Sequence, residues 1–404
     1  MDYTEQLIWS CYGMMEIDSR ERSRLTSPPQ AEANFVIGIS GCTSAGKTTL
    51  ALLLDAVLQK AVRRAPDDDD DDRDDTPRTA VIHQDAYFHK QKEDVGPAVA
   101  VQPLWPEDRL VAAMAGPDDP PTLVEDRDRV GSCDVEMLAG HVDEPDPEVR
   151  ATAVPNPRFL RNLARGQEEG SDVAAVALAP GTMEAAVAIL RGALGEELCR
   201  DGAPLDQYAQ VDDGVPAVAR RFTVLEGFTL FARDADQDPV GWVAPGSEAH
   251  TLRVLRHVQE RLDVALFLPV GRDDARRRRF GRERYTDVPE GTRKPGQYWK
   301  CGGYFDQVAW PHYERYHRHI LPHLAAAYAQ DDAQRQQEER QHHGRPWCAA
   351  NVWERDPCVN GVHVRPPAAN SVDDTLLWAS SVVGAVLATR LLREYESDSQ
   401  HGGE

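Results

Sequence analysis

The 404-residue chain is short of basic residues, and this shortage excludes two classes of protein. Lys and Arg total 45 against 67 Asp and Glu, which gives a formal net charge of -22 at pH 7. Such a charge repels nucleic-acid phosphates and anionic lipid surfaces. We therefore predict no nucleic-acid partner and no membrane partner. Oligomeric state is left open by the sequence.

Cysteine pairs and long apolar runs are also lacking. The seven cysteines are odd in number, scattered and without a CxxC pair: Cys11, Cys42, Cys133, Cys199, Cys301, Cys348 and Cys358. Residues 1–34 contain no signal-peptide core, and the apolar stretch 376–392 is interrupted by polar residues, which favours a buried helix over a membrane span. We expect a cytoplasmic protein with reduced thiols, and the nucleus is the alternative compartment.

Short apolar segments alternate with helical segments along the chain, as in a parallel sheet covered by helices. The predicted strands are residues 35–40, 80–83, 222–225, 264–268 and 361–364. Leucine and valine at helical spacing follow the first strand over residues 49–62. The pattern predicts an α/β fold with a doubly wound, parallel five-stranded sheet.

Near the end, Ser371 and Asp374 resemble a capping box that opens the last helix.

The organisation predicts an N-terminal extension, residues 1–33, and one domain, residues 34–404. Within the domain, residues 66–75 form an acidic loop with a run of six Asp, expected to be solvated, with cation binding as the alternative. Residues 116–220 are rich in Pro, Gly, Asp and Glu and are predicted to be a long insertion. This insertion has one clear helical stretch, residues 183–199, and no catalytic pattern.

Residues 41–48 read GCTSAGKT and match GxxxxGK[ST] between a predicted strand and a predicted helix, the context that a phosphate-binding P-loop requires. An ordinary glycine turn is the alternative. The glycines let the backbone wrap an anion, Lys47 reaches the β- and γ-phosphates, and the Thr48 hydroxyl is a ligand for Mg²⁺. The motif predicts binding of ATP and Mg²⁺. The predicted nucleotide contacts in the loop are Gly41, Thr43, Ser44, Ala45, Gly46, Lys47, Thr48 and Thr49.

Two carboxylates follow predicted strands at the edge where parallel sheets bind ligands. Asp85 stands two residues after the end of strand 80–83, where it can accept the proton of an acceptor hydroxyl; capping a turn is the alternative. Glu226 ends strand 222–225 and is predicted to hold Mg²⁺ together with Thr48.

Six arginines cluster after strand 264–268 and are predicted to close over phosphates as a lid: Arg276, Arg277, Arg278, Arg279, Arg282 and Arg284. A solvated basic helix is the alternative.

Four blocks of the sequence resemble the nicotinamide riboside kinases, within the uridine kinase-like group of P-loop kinases. The blocks are VIGISGCTSAGKTTLA (36–51), VIHQDAYFHK (81–90), FTVLEGFTLF (222–231), and RRRFGRERY (277–285) continuing to GYFDQVAWPHY (303–313). The resemblance implies the P-loop nucleoside and nucleotide kinase type of fold.

The resemblance also implies a role for individual residues. It makes Lys47 and Thr48 the contacts to ATP and Mg²⁺, Asp85 the catalytic base and Glu226 a metal residue. It assigns Arg278 and Arg282 to phosphates and Arg279 to the ribose. Phe88 and Tyr285 are assigned to the two faces of the nicotinamide ring, and Asp108 is a candidate contact to the ribose. A cationic pyridinium between two aromatic faces gains about 0.5–2 kcal/mol per face.

The chain departs from the family's pattern at three positions. Ala86 stands where a second acidic residue follows the catalytic Asp, and Pro289 stands where an acid follows the stacking Tyr. Trp105 is followed by Pro106-Glu107-Asp108, so that Glu107, Asp108 or neither supplies the ribose-binding carboxylate.

The resemblance implies an ATP-dependent kinase that phosphorylates the ribose 5′-hydroxyl of nicotinamide riboside, with nicotinic acid riboside as a second substrate. The alternatives are a uridine/cytidine or other ribosyl kinase, and a nucleotide-binding regulatory protein that has lost catalysis.

Overall fold

The computed structural model describes residues 34–62, 78–88, 110–113, 122–143, 178–199, 221–233, 247–282, 302–326, 357–367 and 369–401. The predicted extension 1–33 and the acidic loop 66–75 lie outside the described residues. The predicted insertion 116–220 is described over residues 122–143 and 178–199.

The strands form one large sheet and one small hairpin. Their bounds are β1 (Asn34–Gly41), β2 (Arg78–His83), β3 (Leu110–Ala113), β4 (Thr122–Glu125), β5 (Arg221–Gly227), β6 (Val264–Leu268), β7 (Cys358–Val359) and β8 (Val362–Val364). The large sheet has the order β2-β5-β1-β6-β8-β7, and β3 pairs with β4 in antiparallel fashion. The predicted α/β class is confirmed.

All five predicted strands are present and run parallel to one another. The predicted strand count was wrong by one, because β7 adds a sixth, antiparallel strand of two residues at the edge. Asn360 and Gly361 connect β7 to β8 with φ of 54° and 77°. Positive φ at both turn residues is typical of a tight hairpin, for which Asn-Gly is the strongest sequence signal.

The helices cover both faces of the sheet. Their bounds are α1 (Lys47–Val62), α2 (Val135–Asp143), α3 (Thr182–Cys199), α4 (Glu248–Glu260), α5 (Arg272–Phe280), α6 (Trp310–Tyr316) and α7 (Val372–His401). A π-helical turn, Phe305–Ala309, leads into α6, and a 3₁₀ turn, Gln84–Tyr87, follows β2. Helices α1, α3 and α7 share one apolar cluster, whereas α2, α4 and α6 share the other.

Strand β1 lies in the interior of the sheet because its sequence, NFVIGISG, has no charged residue and is buried on both faces. Helix α1 then places Leu50, Leu54, Val57 and Leu58 on one buried face. This strand and helix hold the two ends of the glycine-rich segment between them.

Helix α3 is part of the core although it belongs to the predicted insertion. The helix was predicted over residues 183–199 and is found at Thr182–Cys199. Leu190 is fully buried, and α3 packs against α7 and α1. Removing this segment would therefore expose apolar surface on α1 and α7.

Helix α7 begins as predicted, because the Ser371 hydroxyl accepts a hydrogen bond from the backbone N–H of Asp374 at 3.0 Å. Its segment Val372–Leu391 is long and apolar enough to cross a membrane by composition, and half of it is buried inside the structure. Leu376 and Trp378 are fully buried against the sheet and its helices. The helix is therefore a core helix of this fold, as its polar interruptions predicted.

Replacing Trp378 with Ala tests the importance of this packing. Because Trp378 has no exposed surface, we expect Trp378→Ala to lower the free energy of unfolding by about 3–5 kcal/mol in denaturant titration. The control Met137→Ala, at a side chain that is 37% exposed, should change it by about 0.5 kcal/mol or less. Equal losses in the two variants would contradict a core role for α7.

Candidate active site

The glycine-rich segment forms a tight loop between β1 and α1, as predicted. Gly41 has a φ of 149°, and a Cβ there would lie 2.5 Å from the carbonyl oxygen of Leu268, so no other residue fits. Gly46 has a φ of 94°. Lys47 is 9% exposed, and its Nζ donates to the Cys42 carbonyl oxygen at 2.9 Å. The lysine side chain thus extends from the first turn of α1 back toward the start of the loop.

The two residues predicted to hold a metal are in direct contact. The Thr48 hydroxyl donates to Glu226 Oε1 at 3.1 Å. Glu226 stands near the end of β5 and is 3% exposed, so its charge is almost entirely removed from water. A buried carboxylate needs hydrogen-bond donors, and Thr48 supplies one of them.

His83 supplies the second donor, and no sequence pattern singled it out. The parallel register of β2 and β5 aligns His83 with Glu226, and Nδ1 lies 2.9 Å from Glu226 Oε1. Burial raises the pKa of Glu226, but the hydrogen bond and charge of His83, with Lys47 and Thr48, outweigh burial and hold that pKa below its ordinary value. Glu226 is therefore ionised, and His83 donates from Nδ1.

Asp85 lies in the 3₁₀ turn after β2, on the same edge of the sheet as Glu226. Burial, and then the negative charge of Glu226, raise the pKa of Asp85 to about 6, although Lys47 and His83 oppose the shift. A carboxyl group with a pKa near neutrality is suited to proton transfer. The structure thus brings the charges of Lys47, Asp85 and Glu226 together, and Thr48 joins them through its hydrogen bond to Glu226.

Gln84 fixes the position of this turn and was also missed in the sequence. Its side chain is fully buried, donates to the Thr229 hydroxyl at 2.5 Å and accepts from the Thr229 backbone N–H at 3.1 Å. Gly227 allows this contact, since a Cβ there would lie 2.6 Å from the Gln84 Cβ. The ends of β2 and β5 are therefore tied together beside the two carboxylates.

Asp128 is a third carboxylate of the site, and it comes from the predicted insertion. It lines a small cavity together with Cys42 and Thr43 of the glycine loop. Its charge also contributes to the raised pKa of Asp85, after burial and Glu226. The insertion shows no catalytic pattern in its sequence, but the turn after β4 folds back onto the loop and brings Asp128 beside it. The only sequence signal was the alternation of acid and base in residues 126–129.

The predicted arginine lid is divided between different environments. Arg272 and Arg276 form ion pairs with Asp306, and Arg277 pairs with Asp274 on its own helix. Arg278 and Arg282 are exposed.

Arg279 differs from the other arginines of α5 because it is 3% exposed. Its guanidinium lies 5.9 Å from the ring centre of Tyr304 and 5.8 Å from that of Phe305.

Burial raises the pKa of the Cys42 thiol to about 12, although the charges of Lys47, Arg279 and Arg278 act in the opposite direction. Arg278 and Arg279 are thus electrostatically close to the glycine loop, and the thiol stays protonated.

The predicted ring contact Phe88 is partly buried, and its ring stacks on Phe228 with centres 5.9 Å apart. Tyr285, its predicted partner across the ring, lies outside the described residues. Asp108, Glu107 and Pro289 lie outside them as well. The roles assigned to these residues stay predictions.

The described residues offer few protein ligands to the magnesium ion of a bound nucleotide. They contain no group of three or more His, Cys, Asp or Glu side chains that could hold a metal. The adjacent oxygens of Thr48 and Glu226 would supply the protein ligands, and phosphate oxygens and water would supply the others, as is usual for Mg²⁺ bound with a nucleotide. The left-handed backbone at Gly46 and the N-terminus of α1 suit a phosphate group.

Comparison with protein-family models and with curated proteins gives no match to this chain. A functional assignment therefore rests on the residues and geometry of the site.

His83→Ala tests whether the buried Glu226 charge depends on its donor. We expect the variant to lower the free energy of unfolding at pH 7 by about 2–3 kcal/mol, because a buried carboxylate loses a hydrogen bond. The control is His257→Ala, which removes a half-exposed histidine 3.5 Å from Asp143 and should cost about 0.5 kcal/mol or less in the same denaturant titration. If both variants lose the same small amount, the His83–Glu226 contact does not stabilise the site.

Proposed function

We propose that the protein is an ATP-dependent kinase that phosphorylates the ribose 5′-hydroxyl of nicotinamide riboside. The observation that carries the proposal is the cluster of Lys47, Thr48, Asp85 and Glu226 at one edge of the sheet. A lysine on a glycine loop, a hydroxyl–carboxylate pair and a separate carboxyl group of near-neutral pKa supply the three parts that phosphoryl transfer needs. The four sequence blocks support the choice of nucleoside.

The residues divide the reaction between them. Lys47 neutralises negative charge on the transferring phosphoryl group. Thr48 with Glu226 would hold Mg²⁺, which would offset the negative charge of the phosphates. Asp85 accepts the proton of the acceptor hydroxyl while the hydroxyl oxygen forms a bond to the γ-phosphorus. The bond from that phosphorus to the bridging oxygen breaks, and its electron pair leaves with ADP.

The separation of roles between the carboxylates follows from their environments. Glu226 is hydrogen-bonded by His83 and Thr48, which favours its ionised form and suits it to a cation. Asp85 lies beside that negative charge, so its affinity for a proton is raised. One carboxyl group is thereby suited to hold a metal and the other to take a proton.

Product formation from paired nucleosides tests the proposal. The protein is incubated with MgATP and either nicotinamide riboside or uridine, and mononucleotides are followed by mass spectrometry. We expect nicotinamide mononucleotide, with kcat/KM at least about 10-fold above that for uridine, since a cationic ring gains more from aromatic faces. Product from uridine alone would favour a pyrimidine nucleoside kinase, and product from neither would contradict the proposal.

The pH dependence of turnover tests the role of Asp85. Because burial raises its pKa to about 6, the carboxylate is ionised at pH 7 and takes up a proton as the pH falls through 6. We expect kcat/KM to fall about tenfold per pH unit below that point. Asp85→Asn should lose at least about 100-fold in kcat and keep its affinity for ATP.

The matched control is Asp134→Asn, since Asp134 accepts the N–H of Met137 at the start of α2 and Asn can do the same. This variant should keep both turnover and the pH profile. Unchanged turnover in Asp85→Asn would remove Asp85 from the role of base.

A further inference from the structure

The short turn that carries Asp85 is held at both of its ends. Among the described residues no hydrogen bond to the Asp85 carboxyl is found, so the chain on either side of Asp85 determines where this group points. At the start of the turn, the Gln84 side chain binds the hydroxyl and the backbone N–H of Thr229. At its end, the carbonyl oxygen of Tyr87 accepts a hydrogen bond from the backbone N–H of Asp134 at 2.8 Å.

The side chain of Tyr87 is tied to helix α2 as well. The Tyr87 hydroxyl and His141 Nδ1 share a hydrogen bond of 2.6 Å, and the two rings meet edge to face with their centres 5.5 Å apart. Tyr87 is 2% exposed and His141 is 8% exposed. Two separate contacts, one through the backbone and one through the side chain, thus hold the end of the Asp85 turn against α2.

His141 is a polar ring on an otherwise apolar face of α2. The other buried residues of this helix are Val135, Leu138, Ala139 and Val142. Apolar packing of α2 against the turn does not require an imidazole at this position. Replacing both partners of a buried hydrogen bond with apolar groups of similar shape is often close to neutral for stability.

The pair of Tyr87 and His141 therefore contributes orientation more than stability. A hydrogen bond is directional, whereas apolar contact leaves a ring free to slide or rotate. The bond to His141 fixes the Tyr87 side chain, and Tyr87 is the last residue of the turn that contains Asp85.

We propose that His141 is a positioning residue for phosphoryl transfer, because it holds Tyr87 and thereby fixes the direction of Asp85 toward the acceptor hydroxyl. The inference rests on the proposed function, in which Asp85 is the base. Proton transfer requires base and hydroxyl at hydrogen-bond distance, and a misplacement of about 1 Å can slow a reaction about 100-fold. Helix α2, which belongs to the predicted insertion, then takes part in the reaction through Tyr87.

Variants that break the hydrogen bond test the inference. We expect Tyr87→Phe and His141→Leu each to lower kcat for nicotinamide riboside by about 10-fold or more, while the KM for ATP changes by less than about twofold. The matched control is Tyr316→Phe, which removes an equally buried hydroxyl that donates to Glu248 Oε1 at 3.0 Å. This control should keep the wild-type kcat.

Two further variants separate positioning from packing and cover the case in which a single variant does not fold. In the double variant Tyr87→Phe/His141→Leu both polar groups are gone, so the midpoint of thermal unfolding should return toward the wild-type value while kcat stays low. His141→Asn offers an amide in place of Nδ1 as the partner of the Tyr87 hydroxyl, and it should keep kcat within about threefold of the wild type.

The outcomes separate the two proposals. The inference is overturned by wild-type kcat in the double variant, by an equal loss of kcat in Tyr316→Phe, or by equal kcat in His141→Asn and His141→Leu. Each of these results leaves the kinase proposal in place. Absence of product from the wild-type protein overturns the kinase proposal and the inference with it.

Discussion

The carboxylate of Glu226 is the buried charge on which the arrangement of the site depends. Two donors from different parts of the chain, His83 on β2 and Thr48 on α1, meet on the same oxygen of Glu226. Their hydrogen bonds keep the group ionised despite its burial. Burial raises the proton affinity of Asp85, and the negative charge of Glu226 raises it further. Removing either donor would change the electrostatics of the whole sheet edge.

The sheet supplies this arrangement through register and connection. Parallel pairing of β2 with β5 aligns His83 with Glu226, and β5 pairs with β1, which leads into the glycine loop. The chain between β2 and β5 contributes Asp128 to the site and α3 to the opposite core. This region therefore contributes both to the candidate active site and to the hydrophobic core.

Local patterns predicted the local structures, including the strand–loop–helix of the glycine loop, five parallel strands, helix α3 and the Ser371 cap. Strand β7, and with it the hairpin to β8, was missed although Asn360-Gly361 signals a hairpin, because a two-residue strand leaves almost no periodicity. Gln84, Asp128 and His141 were missed for another reason. Their importance arises from contacts between residues far apart in sequence, which spacing does not encode: Gln84 meets Thr229, Asp128 borders one cavity with Thr43, and His141 meets Tyr87.

The central claim is that the γ-phosphoryl group passes from ATP to a nucleoside hydroxyl at this site. Its most direct test follows ATP labelled in the γ-phosphate during incubation with Mg²⁺, nicotinamide riboside and the full-length protein. We expect the label to appear in the mononucleotide at the 5′ position, at a rate that depends on Lys47 and Asp85. Label that stays in ATP, or that appears only in inorganic phosphate, would contradict it.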